Sequence, residues 1–190
     1  MQPLQAIHAA RDLDKVIELS RNVSTRIPDR SAEMDDLLDQ YERSELHAFH
    51  QWFYRQFQEM PVVPSVRIQG VPPCVVWPLE HPNDWLLKPA VLQHVVRVLT
   101  ALDYNPALIA HLISASYQTD AGWGCLWERL DPCSRAIFYT RLFAGMIALG
   151  TDRLIDLNCV SQKEKGYCML QDCSFNLALY RNMLRERRAR

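Results

Sequence analysis

The 190-residue sequence has no apolar run of membrane-spanning length and no stretch with the flanks of a secretory leader. The expectation is a soluble, cytoplasmic protein with no membrane contact. Its six glycines form no Gly-rich phosphate loop. G-x-S-x-G, HExxH and a carboxylate pair at metal-like spacing are missing as well, which excludes a recognisable polymerase or nuclease centre. Asp120, Asp152 and Asp156 stand without such a pattern, and Asp131 reads as a helix cap. Long apolar/polar alternation is also lacking, so any sheet is small, limited to "VVPSVRIQG" and "PCVVW" as short extended pieces. There are no internal repeats and no low-complexity segments.

A strong net charge is lacking too, at −1 overall, but the charge is uneven. Residues 1–60 hold 7 Lys/Arg against 11 Asp/Glu, residues 61–190 hold 14 against 11, and Arg181, Arg185, Arg187, Arg188 and Arg190 crowd the last ten positions. Such a tail suits a helix C-terminus or contact with phosphates.

What is present is helical periodicity. Leu4, Ile7, Ala10, Leu13, Val16, Ile17 and Leu19 predict a helix over roughly 2–23. A second runs from an N-cap at Ser31 to about Phe57, with Met34, Leu38, Tyr41, Leu46, Phe49, Trp52, Phe53 and Phe57 as its apolar stripe. His47 and His50, three apart on it, lack a third ligand and read as packing or surface groups. Seven prolines between Met60 and Pro89 predict a loop-rich connector. Helices then resume over about 90–102, over 106–117 with Asn105 as cap and Pro106 in first position, and from Pro132 with Asp131 as cap to Gly150. A last helix is expected from near Ser174. The chain therefore reads as an N-terminal helical extension, 1–60, and a second region, 61–190.

Six cysteines without a leader are expected to stay reduced, for packing or metal binding. Cys159, Cys168 and Cys173 are separated by eight and then four residues, and four thiolates are needed for a cubane cluster or a closed zinc site. Cys74, Cys125 and Cys133 are the choices for the fourth. Cys125 and Cys133 can be small buried hydrophobes, whereas Cys74, in "VPPCVVWPLE", has the proline-restricted backbone expected of a ligand.

In order and spacing, the stretch from about Val71 to Tyr180 resembles the C-terminal iron–sulfur domain of the large subunit of archaeal and eukaryotic DNA primase. The shared features are "VPPC", the His-x-x-Arg helix "HVVRVLTAL", the 84 residues between Cys74 and Cys159, and the clustered cysteines before a final helix. The resemblance implies a mainly α domain stapled by a [4Fe–4S] cluster on Cys74, Cys159, Cys168 and Cys173, with Zn²⁺ as the alternative. It implies a non-catalytic accessory that binds DNA template and RNA primer beside a catalytic primase, primase-polymerase or helicase partner. His94 and Arg97 would grip the primer 5′-triphosphate. Val91, Leu92 and Gln93 replace the basic residues that precede that motif in the family, and "SFNLALY" replaces its His-Pro after the last cysteine.

Two other readings follow from the residues: a helical interaction or scaffold module with a purely structural metal, and, behind it, a redox enzyme or sensor. Trp123, Trp127, Tyr117 and Tyr139, near Arg129, Arg135 and Arg141, read as core aromatics, with a base-stacking platform as the other reading.

Overall fold

The protein is described by a computed structural model covering residues 12–22, 29–60, 68, 70–82, 86, 88–118, 131–168, 170 and 173–189. It is mainly helical, with no strand among the described residues. "PCVVW" is helical rather than extended; residues 62–67 and 69 of the other extended candidate lie outside the described residues, as do Cys125 and residues 2–11 of the first predicted helix. No helix is long and apolar enough to cross a membrane among the described residues.

The chain divides into two units, residues 1–40 and 41–190. In the first, α1 (Leu13–Asn22) begins after Asp12, whose carboxylate accepts the Asp14 and Lys15 amide N–H groups. The helix α2 (Ser31–Glu42) opens with Asp29, not Ser31, as the side-chain acceptor: Asp29 takes both the backbone N–H and the hydroxyl of Ser31. This helix buries nothing, and Met34 and Leu38 are exposed.

The predicted long helix is broken at Arg43–Ser44, where the Ser44 hydroxyl accepts the His47 amide at 3.2 Å and caps α3 (Glu45–Glu59). A residue with a short oxygen-bearing side chain can satisfy a free helix N–H, and here it restarts the helix. The helix α3 belongs to the second unit. Its Phe53 is fully buried, and Phe49 lies 3.3 Å from where a side chain on Gly145 would begin, so the absence of one there permits close approach.

The proline-rich connector contains α4 (Pro73–Glu80). Pro73 sits at the first helical position, where its missing N–H has no helical role to fill. Pro78 lies inside the helix and leaves the Cys74 carbonyl without its partner four residues on.

Next come α5 (Pro89–Ala101), α6 (Pro106–Gln118) and α7 (Pro132–Ala148). Their sequence-read caps hold: Asn105 accepts the Ala107 amide, Asp131 accepts those of Cys133 and Ser134, and Gly150 adopts φ +70° after α7. The helix α5 is apolar almost all round and buries Val91, Leu92, Val95, Val96, Val98 and Leu99, as expected of a central helix.

The helices α6 and α7 pack together, and α5 lies against α4, α6, α7 and the last helix, α9 (Leu177–Arg188). A short α8 (Cys159–Glu164) precedes α9. Arg187 of α9 donates to the Thr100 and Ala101 carbonyls at 2.7 Å each and pairs with Asp103. A cation thus meets the free carbonyls and negative dipole end of α5.

Phe53→Ala is expected to destabilise the protein by about 3–5 kcal/mol in urea unfolding. A loss below 1 kcal/mol would show that α3 is no part of the core.

Candidate metal centre

Four thiols reach one place from three parts of the chain. Cys74 enters from the first turn of α4, Cys159 is the first residue of α8, and Cys168 and Cys173 come from the segment between α8 and α9. Together they line a cavity of about 300 Å³, completed by residues including Pro72, Gln162, Lys163, Phe175 and Leu177. Cys133, exposed to an intermediate degree on α7, does not line it.

Local geometry explains the convergence. The Asn158 side chain accepts the Ser161 amide at 2.9 Å and so starts α8 at Cys159. The end of α8 closes through Gly166 (φ +71°), with Gly166 N–H donating to Lys163 and Tyr167 N–H to Gln162. This paired-bond helix stop needs a left-handed residue, which glycine provides without strain, and it turns the chain directly toward Cys168. Cys159 joins the two short ends: its sulfur accepts the Leu177 amide at 3.4 Å and lies 3.9 Å from the Phe175 carbonyl oxygen. The last helix starts at Leu177, capped by Asn176, so Cys173 lies four residues before it.

Burial, with the nearby Cys168, Cys173 and Cys159 sulfurs adding to it, pushes the Cys74 thiol up to about 12. A group in that setting is a poor free thiolate and becomes one when a cation compensates the charge. Tyr180 of α9 is also raised, by burial and then by Cys74 and Cys173. No three His, Cys, Asp or Glu side chains among the described residues are arranged to hold a metal ion. The cavity lined by the four cysteines is larger than one ion.

The predicted phosphate-binding pair, His94 and Arg97, is buried. His94 is 2% exposed, with Nε2 3.2 Å from the Cys74 sulfur; burial, followed by the Arg97 and Lys165 charges, lowers its pKa to about 3. Arg97 is 5% exposed. Its Nε and Nη2 donate to the two Asp152 oxygens at 2.8 and 2.7 Å, and its Nη1 to Asp156 at 2.8 Å. Burial opposes the guanidinium charge, but the Asp152 and Asp156 contacts prevail and raise its pKa. Both side chains are buried and bonded inside the protein, His94 at the Cys74 sulfur and Arg97 at the two aspartates.

Asp152 and Asp156 are the residues the sequence did not single out. The Asp152 carboxylate also accepts the Leu154 amide at 2.9 Å, holding a buried leucine at φ +55°. Lys165 bonds the second Asp156 oxygen at 2.6 Å. Against the burial that would raise it, Lys165 and Arg97 hold Asp156 at about 2. Two aspartates four apart in a turn are the only sequence signal, and nothing local names Arg97 as their partner.

His47 and His50 have the packing roles expected. His47 stacks on Tyr41 at 4.9 Å, and His50 Nδ1 lies 2.8 Å from the Tyr41 hydroxyl. Of the aromatic platform, Trp123, Trp127 and Arg129 lie outside the described residues, as does Asp120. Tyr117 is buried and donates to the Leu86 carbonyl at 2.6 Å, while Arg135 covers the Tyr139 ring at 4.8 Å. Arg141 instead reaches Tyr54, donating to its hydroxyl at 2.6 Å. Compared with protein-family models, curated proteins and solved structures, the chain matches none of them.

Asp152→Asn leaves the buried Arg97 charge short of its main counter-ion, and a loss of about 3 kcal/mol is expected in denaturant unfolding. A stability within 0.5 kcal/mol of the parent, as an order of magnitude for exposed substitutions, would refute the clamp.

Proposed function

We propose that this protein is a non-catalytic [4Fe–4S] protein that binds nucleic acid in support of primer synthesis, with Cys74, Cys159, Cys168 and Cys173 as the cluster ligands. The observation that carries the cluster is the convergence of these four thiols, distant in sequence, on one cavity of about 300 Å³. The donor chemistry fits. Thiolates select zinc, copper(I) or iron–sulfur groups, and a zinc ion would draw its sulfurs to about 2.3 Å from a single atom. A cavity of about 300 Å³ with four cysteines in its lining leaves room for a larger body. When bound, the group would supply a covalent tie between α4 and the α8–α9 segment, converting ligation energy into folding energy.

Nucleic-acid binding rests on the likeness of residues 71–180 to the primase large-subunit domain. In this reading the chain holds template and the primer 5′ end while a separate catalytic subunit forms bonds. With His94 and Arg97 turned inward, phosphate contacts fall to exposed cations such as Arg185 and Arg188 of α9 and Lys163 at the cavity rim. Aromatic Phe138 and Tyr54, both exposed beside Arg141, are suited to stacking on unpaired bases.

The converging thiols also permit a second reading, a scaffold module whose metal is purely structural. Protein prepared without oxygen is expected to be brown and to hold about four iron atoms per chain, and Cys74→Ser to lose both metal and fold. A colourless protein with zinc alone would overturn the cluster.

Nucleic-acid binding is tested separately on primer–template junctions with and without a 5′-triphosphate, across a salt series. Binding at low salt is expected, with the Arg185→Ala/Arg188→Ala variant reducing the salt slope by about 1 to 2. No binding at low salt would leave the scaffold reading standing.

A further inference from the structure

The geometry points to His94 as the hydrogen-bond donor to the Cys74 sulfur, and so as the positioning residue that sets the reduction potential of the cluster that sulfur would hold. This rests on the four-thiol cluster proposed above.

His94 reaches Cys74 from α5, twenty residues away in sequence and at 3.2 Å, and it does not line the cavity. It therefore approaches the sulfur from outside the group of four and is an outer partner rather than a fifth ligand. A ligating thiolate only accepts hydrogen bonds, so the ring must carry its proton on Nε2, leaving Nδ1 bare.

That nitrogen is buried and has no hydrogen-bond partner among the described residues. Among the described residues Cys74 is thus the ring's one hydrogen-bond partner, on a helix face shared with the buried Val91, Arg97 and Val98. A buried imidazole with a bare nitrogen is costly where leucine or valine would pack. A charge-assisted bond to a thiolate offsets that cost.

Hydrogen bonds to cluster sulfurs stabilise the more negatively charged, reduced state and raise the potential. The backbone N–H of Leu177 does the same kind of service for Cys159, but only proline removes a main-chain amide, whereas the His94 ring can be replaced by side chains with or without a donor.

The test compares wild type, His94→Gln, which keeps a donor, and His94→Leu, which does not, all prepared without oxygen and assayed first for iron. With the cluster loaded, His94→Leu is expected to have a more negative midpoint potential in a redox titration followed by electron paramagnetic resonance. His94→Gln should fall between it and wild type. An unchanged potential in a fully loaded His94→Leu overturns the proposal while the cluster stands.

Should the leucine variant fail to fold or load, wild type labelled with ¹⁵N-histidine decides. A hyperfine coupling from a histidine nitrogen to the reduced cluster is expected, and its absence overturns the assignment. Wild type without iron sinks the cluster reading, and the role of His94 with it.

Discussion

The Arg97 guanidinium, buried on α5 and shared between Asp152 and Asp156, is the contact on which the arrangement of the thiols depends. Asp152 in turn fixes Leu154 in a left-handed conformation, and Asp156 reaches Lys165. These bonds organise the turn between α7 and α8, and that turn sets where Cys159 begins its helix. A buried ion pair of this kind adds little net stability over an apolar replacement. Removing one partner is expensive, because it leaves an uncompensated charge, and that asymmetry makes it a fixing device.

The same helix supports the opposite wall of the cavity. Three residues before Arg97, His94 meets Cys74, so one rigid apolar helix sets the positions of thiols separated by 84 residues of chain. Residues three apart share a helix face, which explains how one turn of α5 serves both. Arg187 then seats α9 on the C-terminal end of α5, and α9 brings Tyr180 beside Cys74 and Cys173. A ligand held by the thiols would bridge elements already aligned on α5, with a small ordering cost left to binding.

Much of the helical plan was legible because its signals are local. Asn105–Pro106, Asp131–Pro132 and Gly150 act through their own backbone geometry, and each appears where expected. Failures came where one local rule met another. Ser44, inside an unbroken apolar stripe, interrupts a helix the periodicity alone would continue. "VPPC" suggests extended backbone from its prolines, yet proline at a first helical position starts a helix as readily as it ends one. Met34 and Leu38 have the right spacing for burial but lie exposed in α2, among acidic neighbours.

The sequence by itself determined which residues could cap, break and bury helices, and it marked Cys159, Cys168 and Cys173 as a cluster, because cap chemistry, proline geometry and cysteine spacing are written within a few residues. Tertiary structure alone decided the roles of His94 and Arg97. On a helix drawn in isolation both are polar groups available to a phosphate. Their partners, Cys74 and the aspartates 55 and 59 residues away, become neighbours only when α5 is enclosed, and in that low-dielectric interior each polar atom must bond to what the fold brings within reach.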